Sequence, residues 1–155
     1  MIVRSKVLMT VLMFTVIFVS HAKNVKALKI VFTDIYMTTI YRITPSYFDK
    51  GALSGICDTI NIVNTKKIKE LMLTVNELQE LTSYKTVPDT RGKIIFLYDD
   101  NQTEDLYFSA FFALYMGKLY ELSNQFKLLM NRIIISRKPN SEVFQIEHKK
   151  KRISK

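Results

Sequence analysis

Several apolar runs in the second half of the chain lie so close together that their pairing as strands is nearly fixed. The runs at residues 93–98 and 104–109 are joined by residues 99–103, which are rich in the turn-forming Asp and Asn, and the next run, at residues 111–116, turns back at Gly117. A parallel return between neighbouring strands needs a crossover of about a dozen residues. These runs therefore predict an antiparallel sheet.

The remaining strands are predicted by alternation of apolar and polar positions. From Leu28 onward, alternating residues with many β-branched side chains predict a long strand that continues to Ile43, with a break at residues 37–39. A short strand is predicted at residues 59–63, and residues 143–146 predict an edge strand.

Apolar residues at helical spacing predict two helices. The first covers residues 66–81 and is capped by Asn64 or Thr65, and the second begins after Ser123. A shorter helical turn is predicted at Pro45, because proline fits the first turn of a helix. With the strands, these helices predict an α+β fold: an antiparallel sheet of about five strands with two helices packed on one face.

The composition supports one folded domain, which we place at residues 23–136. The chain has 155 residues, of which 48% are hydrophobic, and it contains only four glycines and three prolines. Chains that stay disordered have fewer apolar residues and more proline and glycine, so a buried core is expected here. The length allows one modest domain.

The N-terminus has the three parts of a secretory signal peptide. Arg4 and Lys6 precede an uncharged apolar run at residues 7–19, and small residues follow at Ser20 and Ala22. As a helix this run would be about 20 Å long, short of the roughly 30 Å hydrocarbon core of a membrane. We expect residues 1–22 to be a signal helix that is cleaved, so that the protein is exported to the periplasm or secreted. An uncleaved membrane anchor is the alternative.

The net charge of +9 lies mostly at the two ends of the chain. Residues 137–155 predict a basic, disordered tail. In residues 23–136 the basic and acidic side chains nearly balance, so the domain lacks the basic stripe of a nucleic-acid-binding protein. We therefore expect no nucleic-acid partner, and contact with a membrane only through residues 1–22 or the basic tail.

Residue types required for several common enzyme chemistries are scarce. His21 and His148 both lie outside the predicted domain, and Cys57 is the single cysteine. Ser-His-Asp centres, Cys-His centres and histidine-ligated zinc are thereby excluded from the domain, and we predict no catalytic residue, no metal site and no cofactor. Cys57 is interpreted as a small buried or half-buried apolar side chain, with an intermolecular disulfide as the alternative.

Acidic and amide side chains are concentrated at residues 99–105. A hard cation such as calcium would use these oxygens, but the segment lacks the glycine and the terminal glutamate of an EF-hand loop, and Asp and Asn are ordinary turn formers. We interpret the segment as a hairpin turn. Asn101 also begins a glycosylation acceptor pattern, Asn-Gln-Thr, which matters only if the source organism modifies exported chains in that way.

A second polar cluster, Asp89-Thr90-Arg91-Gly92, leads into a predicted central strand. Asp89 would orient the guanidinium of Arg91 toward a carboxylate or phosphate on a ligand. The same residues would also make a local turn with its own ion pair, and the sequence leaves both interpretations open.

The run Pro88-Asp89-Thr90-Arg91-Gly92-Lys93-Ile94-Ile95, the hairpin after it, Phe108-Ser109 and Gly117-Lys118-Leu119-Tyr120 together resemble small exported bacterial α+β domains of uncharacterised function. The resemblance covers roughly residues 30–135 and rests on short turn motifs. It implies a signal peptide, a long first strand and a late strand pair. This chain differs from lipid-anchored members because no cysteine follows the signal, and the resemblance transfers no catalytic residue.

These observations predict an exported, non-catalytic binding or inhibitor-like module that contacts a protein partner or a second copy of itself. We expect contacts through strand edges and through tyrosines, which bury a large area while keeping a polar end. The candidate tyrosines are Tyr36, Tyr41, Tyr47, Tyr84, Tyr98, Tyr107 and Tyr115. Two alternatives remain: a small-ligand protein or carboxylate-based enzyme that uses Asp89 and Arg91, and a membrane-surface protein held by the N-terminal segment or the basic tail.

Overall fold

The structure, a computed structural model, describes residues 24–83, 88–139 and 144. The predicted signal peptide, nearly all of the predicted edge strand at residues 143–146, most of the basic tail and Tyr84 lie outside the described residues. Among the described residues no helix is long and apolar enough to cross a membrane.

The fold is α+β, as predicted, and is built on one antiparallel sheet in the strand order β2-β1-β4-β5-β6-β7-β3. The strands are β1 (Val25–Phe32), β2 (Asp58–Ile62), β3 (Gln79–Glu80), β4 (Gly92–Tyr98), β5 (Thr103–Phe108), β6 (Phe112–Tyr115) and β7 (Lys118–Glu121). The described part of the chain thus has seven strands, and the predicted number of about five is wrong. Sequence reasoning missed β3 because two residues are too short to show alternation.

The first strand ends earlier than predicted. It stops at Phe32, and the predicted continuation to Ile43 is wrong. A tight turn follows, in which the backbone N–H of Tyr36 donates to the carboxylate of Asp34 at 2.9 Å. Because Asp side chains readily cap such turns, Asp34 ends the strand although β-branched residues continue beyond it.

Three helices occur among the described residues: α1 (Pro45–Asp49), α2 (Thr65–Asn76) and α3 (Asn124–Ile135). The short helical turn predicted at Pro45 is confirmed as α1, in addition to the two longer helices. The predicted caps of the two longer helices are confirmed, with Asn64 accepting from Lys67 N and Ser123 from Phe126 N. The predicted end of α2 at Leu81 is wrong, because the chain leaves the helix after Asn76 to form β3.

The core lies between one face of the sheet and the helices α2 and α3. Alternate strand residues and the apolar stripes of both helices form one buried cluster, in which the most deeply buried side chains are Ile30, Leu71, Ile94, Phe96, Leu106, Ala113, Phe126, Met130 and Ile134. The two longer helices therefore share one face of the sheet, as the sequence predicted.

The short helix α1 lies over the opposite face of the sheet. Asp49, its last residue, accepts hydrogen bonds from Lys93 Nζ at 2.8 Å and from the Tyr107 hydroxyl at 2.6 Å. Lys93 and Tyr107 are opposite each other on β4 and β5 and point away from the core cluster. Part of the second sheet face is therefore covered by the chain itself.

Candidate functional site

A cleft of about 360 Å³ opens where the chain leaves β1, enters β4 and turns from β5 to β6. Its lining residues come from three short segments that are distant in the chain: Ile35, Tyr36, Met37 and Arg42 from the first, Pro88, Asp89 and Arg91 from the second, and Ser109, Ala110, Phe111 and Phe112 from the third. The sheet brings these segments together, because β1 pairs with β4 and β4 pairs with β5.

Arg91 is the most unusual residue of the cleft, because its charged side chain is only 6% exposed. The guanidinium nitrogen Nη2 donates to Asp89 Oδ2 at 2.5 Å and to Thr39 Oγ1 at 3.1 Å. Arginine is rarely buried unless its charge is paired, and Asp89 supplies that charge.

Asp89 uses its second carboxylate oxygen to hold the loop that precedes α1. Asp89 Oδ1 accepts from the backbone N–H of Ile43 at 2.6 Å, and Thr90 N donates to Ile43 O at 2.7 Å. Together with the Arg91–Thr39 hydrogen bond, these contacts fasten residues 39–43 to the chain just before β4. The loop that forms one side of the cleft is thus held by the ion pair of Asp89 and Arg91, which also lines the cleft.

One nitrogen of the buried guanidinium remains without a partner. In the described part of the chain, Arg91 Nη1 is buried and makes no hydrogen bond to any protein atom. Leaving such a donor unsatisfied costs about 1–3 kcal/mol and more when the group is charged, so native proteins rarely tolerate it. Because Arg91 also lines the cleft, an acceptor bound there would satisfy this donor.

The opposite wall is shaped by a tight turn between β5 and β6. Ser109 Oγ accepts from the backbone N–H groups of Phe111 and Phe112 at 3.3 Å and 3.1 Å, and Ser109 N donates to Phe112 O at 2.9 Å. This turn leaves the ring of Phe111 55% exposed beside the cleft. The ammonium of Lys127 lies 5.4 Å from the centre of that ring, within the range of a cation–π contact.

Among the candidate residues named from the sequence, the structure brings Asp89 and Arg91 together and places Tyr98 and Tyr107 outside the cleft lining. The ion pair expected for the local turn exists, and the same two side chains line the cleft, so the two interpretations of the cluster are compatible. Tyr36 also lines the cleft and is 39% exposed, whereas Tyr41 and Tyr47 are exposed outside it.

Tyr98 is buried in the core, only 6% exposed, and shares a carboxylate with Tyr115. Both hydroxyls donate to Glu104 Oε2, at 2.7 Å from Tyr98 and 2.6 Å from Tyr115. Burial and the hydrogen bond to the Glu104 carboxylate raise the pKa of both tyrosines. Their phenols therefore stabilise the fold, since they face a carboxylate of the protein.

Tyr107 belongs to the polar cluster beneath α1. Burial and its hydrogen bond to Asp49 raise the pKa of Tyr107, and Lys93 Nζ bridges Asp49 and Asp105. Burial opposes ionisation of Asp49, but the hydrogen bonds from Lys93 and Tyr107 and the charge of Lys93 outweigh it and lower the pKa of Asp49. This cluster holds α1 on the sheet.

The acidic hairpin has the geometry of a turn. Tyr98 N donates to Gln102 O at 3.0 Å, Asp100 Oδ1 accepts from Gln102 N at 2.9 Å, and Asn101 has a positive φ of 63°. Among the described residues, no group of three or more His, Cys, Asp or Glu is arranged to hold a metal ion. Cys57 is a free, half-buried thiol, and burial raises its pKa.

Sequence reasoning did not find Thr39, Ile43 or Ser109 as parts of the site. Their roles depend on contacts between distant segments or on a backbone turn, which no local pattern of residue types shows. Comparison with protein-family models, with curated proteins and with solved structures finds no match to this chain.

Proposed function

We propose that this protein is a non-catalytic binding module whose ligand occupies the cleft between residues 35–42, 88–91 and 109–112. The observation that carries the proposal is the buried guanidinium of Arg91, which lines the cleft and has one nitrogen without a hydrogen-bond partner in the described chain. A ligand that accepts from this nitrogen would satisfy a donor that otherwise costs folding free energy.

Binding is favoured over catalysis because both oxygens of the carboxylate in the cleft are already used in hydrogen bonds. Among the residues that line it, Asp89 carries the one carboxylate, and both of its oxygens already accept hydrogen bonds, from Arg91 and from Ile43 N. A general base must be free to take a proton from the substrate. Asp89 is instead used to position Arg91 and the loop.

The proposal places this binding outside the cytoplasm, because residues 1–22 have the pattern of a cleaved signal peptide. The apolar rings and tyrosine at the cleft would then meet ligands or partner segments in the periplasm or the medium. Mass determination of the N-terminus of the purified native protein tests this part: a chain that begins near Lys23 supports it, and a chain that retains residues 1–22 contradicts cleavage.

The cleft itself is tested by a fragment titration followed by NMR. The full chain is titrated with small acids, amines and neutral aromatics, and we expect at least one class to shift the amide signals of Arg91, Ala110 and Phe112. The exposed Tyr47, which is not a lining residue of the cleft, serves as the internal reference. If no class of fragment shifts the cleft signals, the proposed function is wrong.

A further inference from the structure

We propose that the ligand of the cleft is a carboxylate attached to an apolar, preferably aromatic, group, with the carboxylate at Arg91 and the apolar group against Phe111 and Phe112. This inference rests on the proposed function and names the chemistry of its ligand. It follows from the charge of the cleft, from the donors that remain for a ligand, and from the character of the opposite wall.

The charge of the cleft fits an anion. Its most deeply buried charged group is the Arg91 guanidinium, and the one acidic residue of the lining, Asp89, accepts from Nη2 and leaves Nη1 unsatisfied. A negatively charged acceptor at Nη1 would make a charge-assisted hydrogen bond there.

The available donors favour a carboxylate over a phosphate. Phosphate sites in proteins typically use several backbone N–H groups at once. Here five backbone donors at the cleft are already used: Thr90 N, Arg91 N, Ser109 N, Phe111 N and Phe112 N each donate to a protein oxygen. The nitrogen Nη2 of Arg91 is also used, so that the two N–H groups of Nη1 remain to serve the ligand.

Reaching Nη1 requires movement of the surrounding side chains, because the atom is buried. Among the lining residues, Phe111 lies at the surface with 55% of its area exposed, so its ring moves without disturbing the core. The proposal therefore requires the lining to open when the ligand binds.

The uncharged part of the cleft lining is mostly apolar. Its hydrophobic residues are Ile35, Met37, Pro88, Ala110, Phe111 and Phe112. The ring of Phe111 is 55% exposed, and covering it with an apolar group removes that surface from water. A volume of about 360 Å³ matches the lower end of known small-ligand sites, so a single aromatic ring with a short linker to the carboxylate fits.

The test measures binding of 4-phenylbutyrate to the full chain by calorimetry and NMR, against its uncharged amide and against inorganic phosphate. A charge-assisted hydrogen bond to the buried guanidinium should make the acid bind at least about tenfold more tightly than the amide. A short peptide that ends in phenylalanine, as free acid and as amide, distinguishes a chain terminus from a free small molecule as the source of the carboxylate.

Variants locate the two ends of the ligand. Arg91→Lys keeps the charge but loses the planar N–H donors and should reduce the preference for the acid over the amide, whereas Arg91→Gln removes the charge and should abolish it. Since a buried arginine variant can fail to fold, Phe111→Ala provides an independent test: it should weaken the acid and the amide equally, by about fivefold to tenfold. Tyr47→Ala removes an equally exposed aromatic ring outside the cleft and should leave both affinities unchanged.

The possible outcomes distinguish failure of the carboxylate inference from failure of the proposed function. Equal affinity for acid and amide, or tighter binding of phosphate than of 4-phenylbutyrate, overturns the carboxylate inference while binding in the cleft stands. The carboxylate inference is also overturned if amines or neutral aromatics shift the cleft signals and no acid does. If no compound of any class binds in the cleft, both fail.

Discussion

The buried guanidinium of Arg91 lies 2.5 Å from the carboxylate of Asp89, and this pair holds the loop that precedes α1 as well as the cleft. Asp89 also accepts from Ile43 N, and Arg91 also donates to Thr39. The same two side chains therefore link the start of β4 to residues 39–43. Changes at this pair are expected to affect both the stability of the fold and the shape of the cleft.

Replacing Asp89 with alanine should lower the free energy of unfolding by about 2–3 kcal/mol. The buried guanidinium loses its charge partner, and the Ile43 N–H loses its acceptor. Urea denaturation measures the loss. Asp89→Asn, which keeps an oxygen for Ile43 N, should lose less, and equal stability of Asp89→Ala and the wild type would show that the pair contributes nothing.

Gly92→Ala should destabilise the fold by about 1–3 kcal/mol through overpacking. A β-carbon at position 92 would collide with the ring of Phe108 and lie 2.7 Å from the backbone oxygen of Val31, which cannot move without disturbing the β1–β4 pairing. Thermal unfolding measures the effect. Gly55→Ala is the matched control, since its β-carbon would have no atom within 4 Å, and it should change stability by less than about 1 kcal/mol.

The stabilisation by Asp49 should depend on pH. Its pKa is lowered in the folded protein, so its contribution is present above the usual aspartate value of 3.8 and is lost as the pH falls through the lower folded value. Asp49→Asn should therefore cost about 0.5–1 kcal/mol near neutral pH, because the carboxylate is partly exposed, and almost nothing in strong acid. Melting temperatures measured at both pH values test this. Asp99→Asn, in the exposed hairpin loop, should behave like the wild type at both.

Tyr115→Phe should lower stability by about 1 kcal/mol, because the core loses a hydrogen bond to Glu104. The pKa of Tyr115 is raised, so this contribution persists through the usual range of tyrosine ionisation and disappears only at more alkaline pH. An alkaline titration followed by tyrosinate absorbance should keep its early phase in the variant and lose the contribution of one tyrosine from its late phase, which Tyr98 and Tyr107 share. Tyr47→Phe, at an exposed ring, should change stability by less than about 0.5 kcal/mol.

The β-hairpins and the helix starts were predictable because their signals are local. Apolar runs joined by Asp and Asn place β4 and β5, and the left-handed Met116 and Gly117 make the tight turn between β6 and β7. The caps at Asn64 and Ser123 are likewise short-range. Ends of strands and helices that depend on distant partners were predicted wrongly. The helix α2, for example, ends at Asn76 because Gln79 and Glu80 pair with β7 and form β3.

The candidate site was predictable only in part. Asp89 and Arg91 lie close in the chain, so their pairing could be proposed from the sequence. Burial of Arg91 could not, because it depends on Thr39 and on the turn at Ser109, which reach the site through the pairing of β1, β4 and β5. The position of Tyr98, by contrast, could be predicted from the sequence. Alternation of residues along β4 places its side chain on the core face, where its hydroxyl donates to Glu104.

The position of β1 in the sheet has a consequence for how the chain folds. β1 is the first strand in the described part of the chain, but β4, one of its two neighbours in the sheet, comes only after α1, β2, α2 and β3. Until β4 pairs with it, one edge of this apolar strand has no native partner. Because the contacts of β1 with β4 join residues far apart in the chain, we expect slow folding and exposure of this strand to chaperones before the sheet closes.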